Sequence, residues 1–99
     1  MSEQISKQRR AYCRKLLLAH MIANERHDLM SLETATGMPR RTLQDSIKAM
    51  VDIGIDCEFV QDGPKHRHGY YHIVDWGDHD SGWIEAHLKD LQQWVITDA

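Results

Sequence analysis

Cysteine is scarce in this chain: Cys13 and Cys57 are the only two in 99 residues, and neither belongs to a CxxC pair. A disulfide framework is thereby excluded, and the two read as small buried hydrophobes in a reducing compartment. Long apolar runs are also missing. The longest is Leu16–Leu17–Leu18–Ala19, ended by His20, far short of the ~18 residues that a membrane span needs. No apolar stretch follows the charges of Met1–Arg10, so neither a signal peptide nor membrane insertion is expected, and the expected location is the cytoplasm. Internal repeats, low-complexity tracts and Ser/Pro/Gly linkers are lacking, which points to one domain over residues 1–99. Hydrophobic residues at 41% and charged residues at 27% are ordinary globular usage, so wholesale disorder is excluded.

Catalytic signatures are missing as well. There is no nucleophile motif, no paired-carboxylate constellation and no Gly-rich phosphate loop, since Gly69 and Gly77 are isolated turn residues. An enzyme is not expected. Seven histidines raise the question of a metal. Zinc needs three or four converging ligands, usually at CxxC-like or HxxxH spacing. His66 and His68 stand one residue apart on a loop, with Cys57, His72, His79 and His87 scattered around them. No metal and no cofactor are expected; the loop histidines read as added positive charge at low pH.

Charge is present in quantity and unevenly placed. Residues 1–48 hold nine basic and five acidic side chains, a net of +4, and residues 49–99 hold three and ten, a net of −7. One basic end and one acidic end suggest an anionic partner for one face.

The first strong segment is a helix from Ser6 to about Asn24, capped by Ser2 or Ser6. Leu16, Leu17, His20 and Ile22–Ala23 recur at helical spacing behind the wetter turns of Lys7, Arg9, Arg10, Arg14 and Lys15. Leu29–Met30 suffices for one turn or one short strand. Ser31 then suits the N-cap of a short helix Leu32–Thr36, with Glu33 in its first turn. Gly37 stops that helix, because a left-handed conformation costs it nothing sterically. Met38 stands in the turn and buries itself only if the two helices pack at an angle. Pro39 opens the next helix, where its missing N–H is not needed, and Leu43, Ile47 and Met50–Val51 form its apolar stripe as far as Gly54.

Beyond Gly54 the period falls to two. Ile55, Cys57 and Phe59 alternate with Asp56 and Glu58, and Tyr71 and Ile73 alternate with His72 and Val74. Pairing Cys57 with Ile73 and Phe59 with Tyr71 matches the apolar sides, sets Glu58 opposite His72, and leaves Gln61–Gly69 as a long basic tip. A last helix over about 82–96, capped near Asp80–Ser81, carries Ile84, Leu88, Leu91 and Val95 on one stripe with Trp94 beside it.

Helix, short strand, helix, Gly turn, helix, basic-tipped hairpin: this order resembles the α+β winged helix-turn-helix fold, here with an additional C-terminal helix. The resemblance is carried by Leu32–Glu–Thr–Ala–Thr–Gly–Met–Pro–Arg–Arg–Thr–Leu43, which looks like a helix-turn-helix core spanning about 31–53, with Ala35 as the small residue at the helix contact. A wing over 55–75 follows. Tyr70–Tyr–His–Ile–Val–Asp–Trp–Gly77 and the Trp-bearing last helix also resemble a bacterial family of short winged-helix proteins, described only as DNA binders without an agreed target. The resemblance spans most of residues 6–97 and implies a fold and a broad activity.

The side chains agree with that implication. Recognition helices present their N-terminal residues to base edges in the major groove. Here Arg40, Arg41, Thr42, Gln44, Asp45 and Lys48 all fall off the Leu43/Ile47 stripe. Arg suits guanine, Gln suits adenine, and Lys and Thr suit phosphates. Lys65, His66, Arg67 and His68 form a second basic site where a wing touches the minor groove or backbone. The expected partner is duplex DNA and the expected role a transcriptional regulator, with no small-molecule ligand evident. The alternative is a winged-helix protein-interaction module without DNA binding. Trp76, Trp83 and Trp94 either close the core or form a partner surface. The expected homodimer uses Ile84, Leu88, Leu91, Trp94 and Val95; the competing expectation folds that helix back on its own core.

Overall fold

The computed structural model describes residues 6–64 and 69–95. In chain order they form α1 (Lys7–Asn24), α2 (Leu29–Thr36), α3 (Arg40–Lys48) running into a 3-10 turn (Ala49–Ile53), an antiparallel hairpin of β1 (Asp56–Gln61) and β2 (Gly69–Asp75), and α4 (Ser81–Ala86) and α5 (Leu88–Val95). The buried residues make one cluster.

Ser6 caps α1, its hydroxyl accepting from the Arg9 amide at 3.0 Å. Every residue from Leu16 to Ala19 is buried. A helix apolar on all sides over a full turn belongs inside a domain, and α1 is indeed packed by α3, β2, α4 and α5. The one-sided stripe expected from the sequence is corrected accordingly. Ala23 is exposed and His20 only half-buried, whereas Cys13, Leu18 and Ala19 join the core.

Helix α2 starts three residues earlier than expected. Asp28, not Ser31, is its N-cap: the carboxylate accepts from the Ser31 amide at 2.8 Å, and the Ser31 hydroxyl accepts from the Asp28 amide at 3.0 Å. This reciprocal capping box uses Ser31 at the third helical position. Leu29–Met30 are the first turn of α2 rather than a short strand, and the hairpin is tied to the segment before them by a main-chain bond from the Tyr71 amide to the His27 carbonyl at 2.8 Å. Leu32 and Thr36 face inward from α2, and Ala35 is exposed, so it is not the helix contact. In the next helix Leu43 and Ser46 are buried, Ile47 half-buried and Met50 buried beyond it, while Val51 is 68% exposed. The change to 3-10 geometry at Ala49 rotates Val51 off the stripe.

The hairpin has the register read from the alternation: Cys57 opposite Ile73, Glu58 opposite His72, Phe59 opposite Tyr71. Phe59 and Tyr71 meet edge to face, ring centroids 5.1 Å apart, a favoured arrangement for aromatic rings. Asp80 caps α4 by accepting from the Gly82 amide at 2.9 Å. The single last helix is in fact two, interrupted at His87. Both halves pack on α1. Ile84, Leu91 and Val95 are buried, and Leu88 and Trp94 are half-buried against the same cluster. The stripe expected at a dimer interface thus closes the core of its own chain.

Candidate nucleic-acid interface

The turn between α2 and α3 is built by two residues. Gly37 adopts φ 75° and ψ 5°, and its amide donates to the Glu33 carbonyl at 2.8 Å. Thr36 does more than its place in the sequence suggests: its buried hydroxyl donates to the Leu32 carbonyl at 2.7 Å and accepts from the Met38 amide at 3.1 Å. One side chain therefore closes α2 and directs the chain into α3. Met38 tucks against the core as its place in an angled turn requires.

Pro39 is the N-cap of α3 and supplies no side-chain acceptor. The opening amides of the helix thus keep the unmet donor capacity and positive dipole end that favour an anion. Leu43 and Ser46 anchor the helix inward, and this turns the expected reading residues outward. Arg40, Arg41, Gln44, Asp45 and Lys48 are exposed and Thr42 is half-buried. The Arg41 side chain is 91% exposed and 3.9 Å from Asp45. Arg40 is held back, donating to the Glu33 carboxylate at 2.9 Å across the turn. Arg41, Gln44 and Lys48 occur three and four residues apart, which on a helix is one face.

The second basic site, Lys65, His66, Arg67 and His68, lies outside the described residues. What leads to it is clear. The Arg26 guanidinium sits 4.4 Å from the Tyr70 ring centre and 3.8 Å from the Asp62 carboxylate. His27, buried at the α1–α2 corner, places Nδ1 2.8 Å from the Ser31 hydroxyl and Nε2 3.3 Å from the Glu25 carboxylate, while its carbonyl accepts from Tyr71. Residues 26–28 therefore clasp the hairpin to the helix pair. Sequence reasoning missed both Arg26 and His27, although the polar run Glu25–Asp28 marked the spot.

Among the described residues, no three His, Cys, Asp or Glu side chains are grouped to hold a metal. His79 instead has a structural partner, with Nε2 donating to the Ile53 carbonyl at 2.8 Å and Nδ1 3.3 Å from the Tyr12 hydroxyl. Burial raises the Cys13 thiol, with Arg9 opposing the shift. Burial likewise pushes Cys57 up to about 11, reinforced by Asp56 and Glu58 and opposed by its hydrogen bond with the His72 backbone. A thiol held protonated is a poor nucleophile. Trp76 and Trp94 lie against the core, whereas Trp83 is 41% exposed and stacks on His87, ring centroids 4.0 Å apart. No described helix is long and apolar enough to cross a membrane.

The comparisons agree with this anatomy. A family model for winged helix-turn-helix proteins matches residues 7–95. The fold is similar to the crystal structure of a DUF2131 family protein from Shewanella amazonensis, with a TM-score of 0.88 and 49% sequence identity over 95% of this chain and 98% of that one. No functionally curated protein matches the chain. From Ser6 to Val95, then, the capped helix pair, the angled Gly37 turn, the outward-facing α3 and the hairpin behind it make this chain a member of the winged helix-turn-helix family.

Proposed function

We propose that the protein binds duplex DNA sequence-specifically through α3 and the hairpin, and acts as a non-catalytic transcriptional regulator in the cytoplasm. The observation that carries this reading is the division of α3: Leu43 and Ser46 hold it to the core while Arg41, Gln44 and Lys48 stand exposed on one face. Arg40, Arg41 and Gln44 take base edges, Thr42 and Lys48 take phosphates, and Asp45 orients Arg41 or accepts from cytosine. Lys65, His66, Arg67 and His68 take the backbone or minor groove beside it. Family membership supports DNA binding as the broad activity.

A homodimer through Ile84, Leu88, Leu91, Trp94 and Val95 draws no support from their burial in a single chain. The rival function, a winged helix turned to protein binding, rests on the ion pairs Arg40–Glu33 and Arg41–Asp45, which offset part of the positive charge. Salt dependence separates the two. DNA binding through phosphates weakens linearly in log–log form as salt rises, by roughly 0.9 for each phosphate contact. Selection of bound duplexes from a random pool, followed by titration of the winner against salt, tests the proposal. Failure to enrich any sequence, with no retention on duplex DNA at low salt, overturns it.

A further inference from the structure

The stripe on α4 and α5 is spent on the core, but another apolar surface is not. Met30, the second residue of α2, is 67% exposed, and Phe59 on the inner side of the hairpin is 40% exposed. Met30 stands between two clefts. One, of about 310 Å³, lies between the start of α2 and the hairpin and is lined by Asp28, Leu29, Met30, Arg40, Phe59 and Tyr71. The other, of about 470 Å³, runs along the outer side of α2 past Ser31, Thr34 and Ala35. Met30 and Phe59 border the same cleft, so here exposed apolar side chains adjoin a hollow rather than stand singly on the surface.

The charges at this surface indicate what covers it. The first cleft carries one acid and one base, Asp28 and Arg40. Neither is exhausted by its internal bond: Asp28 uses Oδ1 for the Ser31 amide, and Arg40 uses one terminal nitrogen for Glu33. A carboxylate has a second oxygen to offer and a guanidinium has five N–H donors. A uniformly basic or acidic partner would be attracted by one group and repelled by the other. A surface carrying both signs and both a ridge and a hollow is complementary to itself, which is what a two-fold contact requires.

We propose that a second copy of this chain docks here, each Met30 entering the partner's cleft against Leu29, Phe59 and Tyr71, with Asp28 of each copy facing the partner subunit's Arg40. The consequence rests on the DNA-binding reading given above. Arg40 belongs to both surfaces, so self-association withdraws the first turn of α3 from DNA.

Chains labelled separately with a donor and an acceptor dye at the N-terminus, mixed over ~1 to ~300 µM, report the dimer by energy transfer. The native chain is expected to show transfer that rises with concentration. Met30→Glu is expected to abolish it, since four carboxylates would then crowd one contact. An acid in the first turn of α2 favours the helix, and an unchanged melting temperature verifies that the variant folds. Absence of transfer in the native chain at the highest concentration, or equal transfer in the variant, overturns the dimer. A short duplex in excess is expected to lower transfer in the native chain at least tenfold at ~10 µM protein. Transfer that persists while the duplex is bound overturns the masking. A duplex that binds neither protein, with transfer intact, overturns the DNA reading and leaves the dimer standing.

Discussion

Gly77 rests against Gly54. A Cβ on Gly77 would lie 2.3 Å from the Gly54 carbonyl oxygen, and both residues have positive φ, 65° and 88°. The contact joins the end of the 3-10 turn to the segment that leaves β2, two stretches more than twenty residues apart in sequence. It holds the entry to α4 in place, together with the His79–Ile53 bond.

Gly77→Ala must therefore move backbone away from backbone. The expected loss of stability is about 2–4 kcal/mol, combining left-handed strain with a steric conflict. Gly37→Ala serves as the control. It has φ 75° but nothing within 4 Å of the added carbon, so only strain of about 1 kcal/mol applies. Urea denaturation of the two variants compares them directly. Equal losses would show that the Gly77–Gly54 contact is not tight.

The packing of α5 on α1 predicts that Leu91 behaves as a core residue. Leu91 is fully buried, and Leu91→Ala should cost about 2–5 kcal/mol through lost transfer energy and a cavity. An interface residue would instead leave the monomer's stability near that of the native chain. Thermal melting at a concentration too low for association distinguishes the two.

Arg41 should behave in the opposite way. Its side chain is almost entirely in water and its pair with Asp45 is long, an arrangement worth little to stability. Arg41→Ala is expected to leave the melting temperature within a degree or two and to weaken specific DNA binding by ~1–3 kcal/mol. A melting temperature that falls in step with affinity would give Arg41 a structural role instead.

Thr36 holds the helix-turn-helix angle through two bonds of one hydroxyl. Thr36→Val keeps the shape and removes both, leaving the Met38 amide without its acceptor. The expected cost is ~1–3 kcal/mol. Thr36→Ser, which retains the hydroxyl, should recover most of it in the same denaturation assay.

The raised thiol of Cys57 gives the fold an alkaline limit. The folded chain holds this proton until pH about 11, against 9.0 for an ordinary cysteine thiol. Its contribution to stability is full below pH 9 and is lost as pH rises from about 9 to about 11. Denaturation midpoints should fall over that window, and the fall should be shallower in Cys57→Ala. Iodoacetamide at pH 8 should alkylate Cys57 far more slowly in the folded chain than in denaturant.

How much of this was legible beforehand depended on the range of the interaction. The hairpin register agreed with the alternation, because pairing Cys57 with Ile73 and Phe59 with Tyr71 sets all four on the same side directly opposite one another. The turn at Gly37 and the outward face of α3 were equally local. The start of α2 was misplaced because Asp28 and Ser31 are both good caps, and a reciprocal box offers two such residues three apart. The break at His87 left no mark, since Ile84, Leu88 and Leu91 keep their spacing across it. The Gly77–Gly54 contact and the Tyr12–His79–Ile53 bridge join distant segments whose spacing carries no periodic signal. The stripe of the last helix meets the same limit. An apolar stripe states that it must be covered but not by which surface, and here it packs on α1, whose Leu16–Ala19 are all buried.

The pairing of α1 with α5 also governs when the molecule can exist. Of the described helices the first is sheltered in part by the last, so during synthesis the side of α1 that α5 covers stays in the open until residue 95 has cleared the ribosome. Contacts between chain ends close late in folding, and exposed apolar surface in the interval is the usual substrate of chaperones and proteases. A nascent chain stalled before Leu88 has the helix-turn-helix, both strands and α4 but lacks α5 over α1. Quality control would therefore act first on chains that stop short of α5.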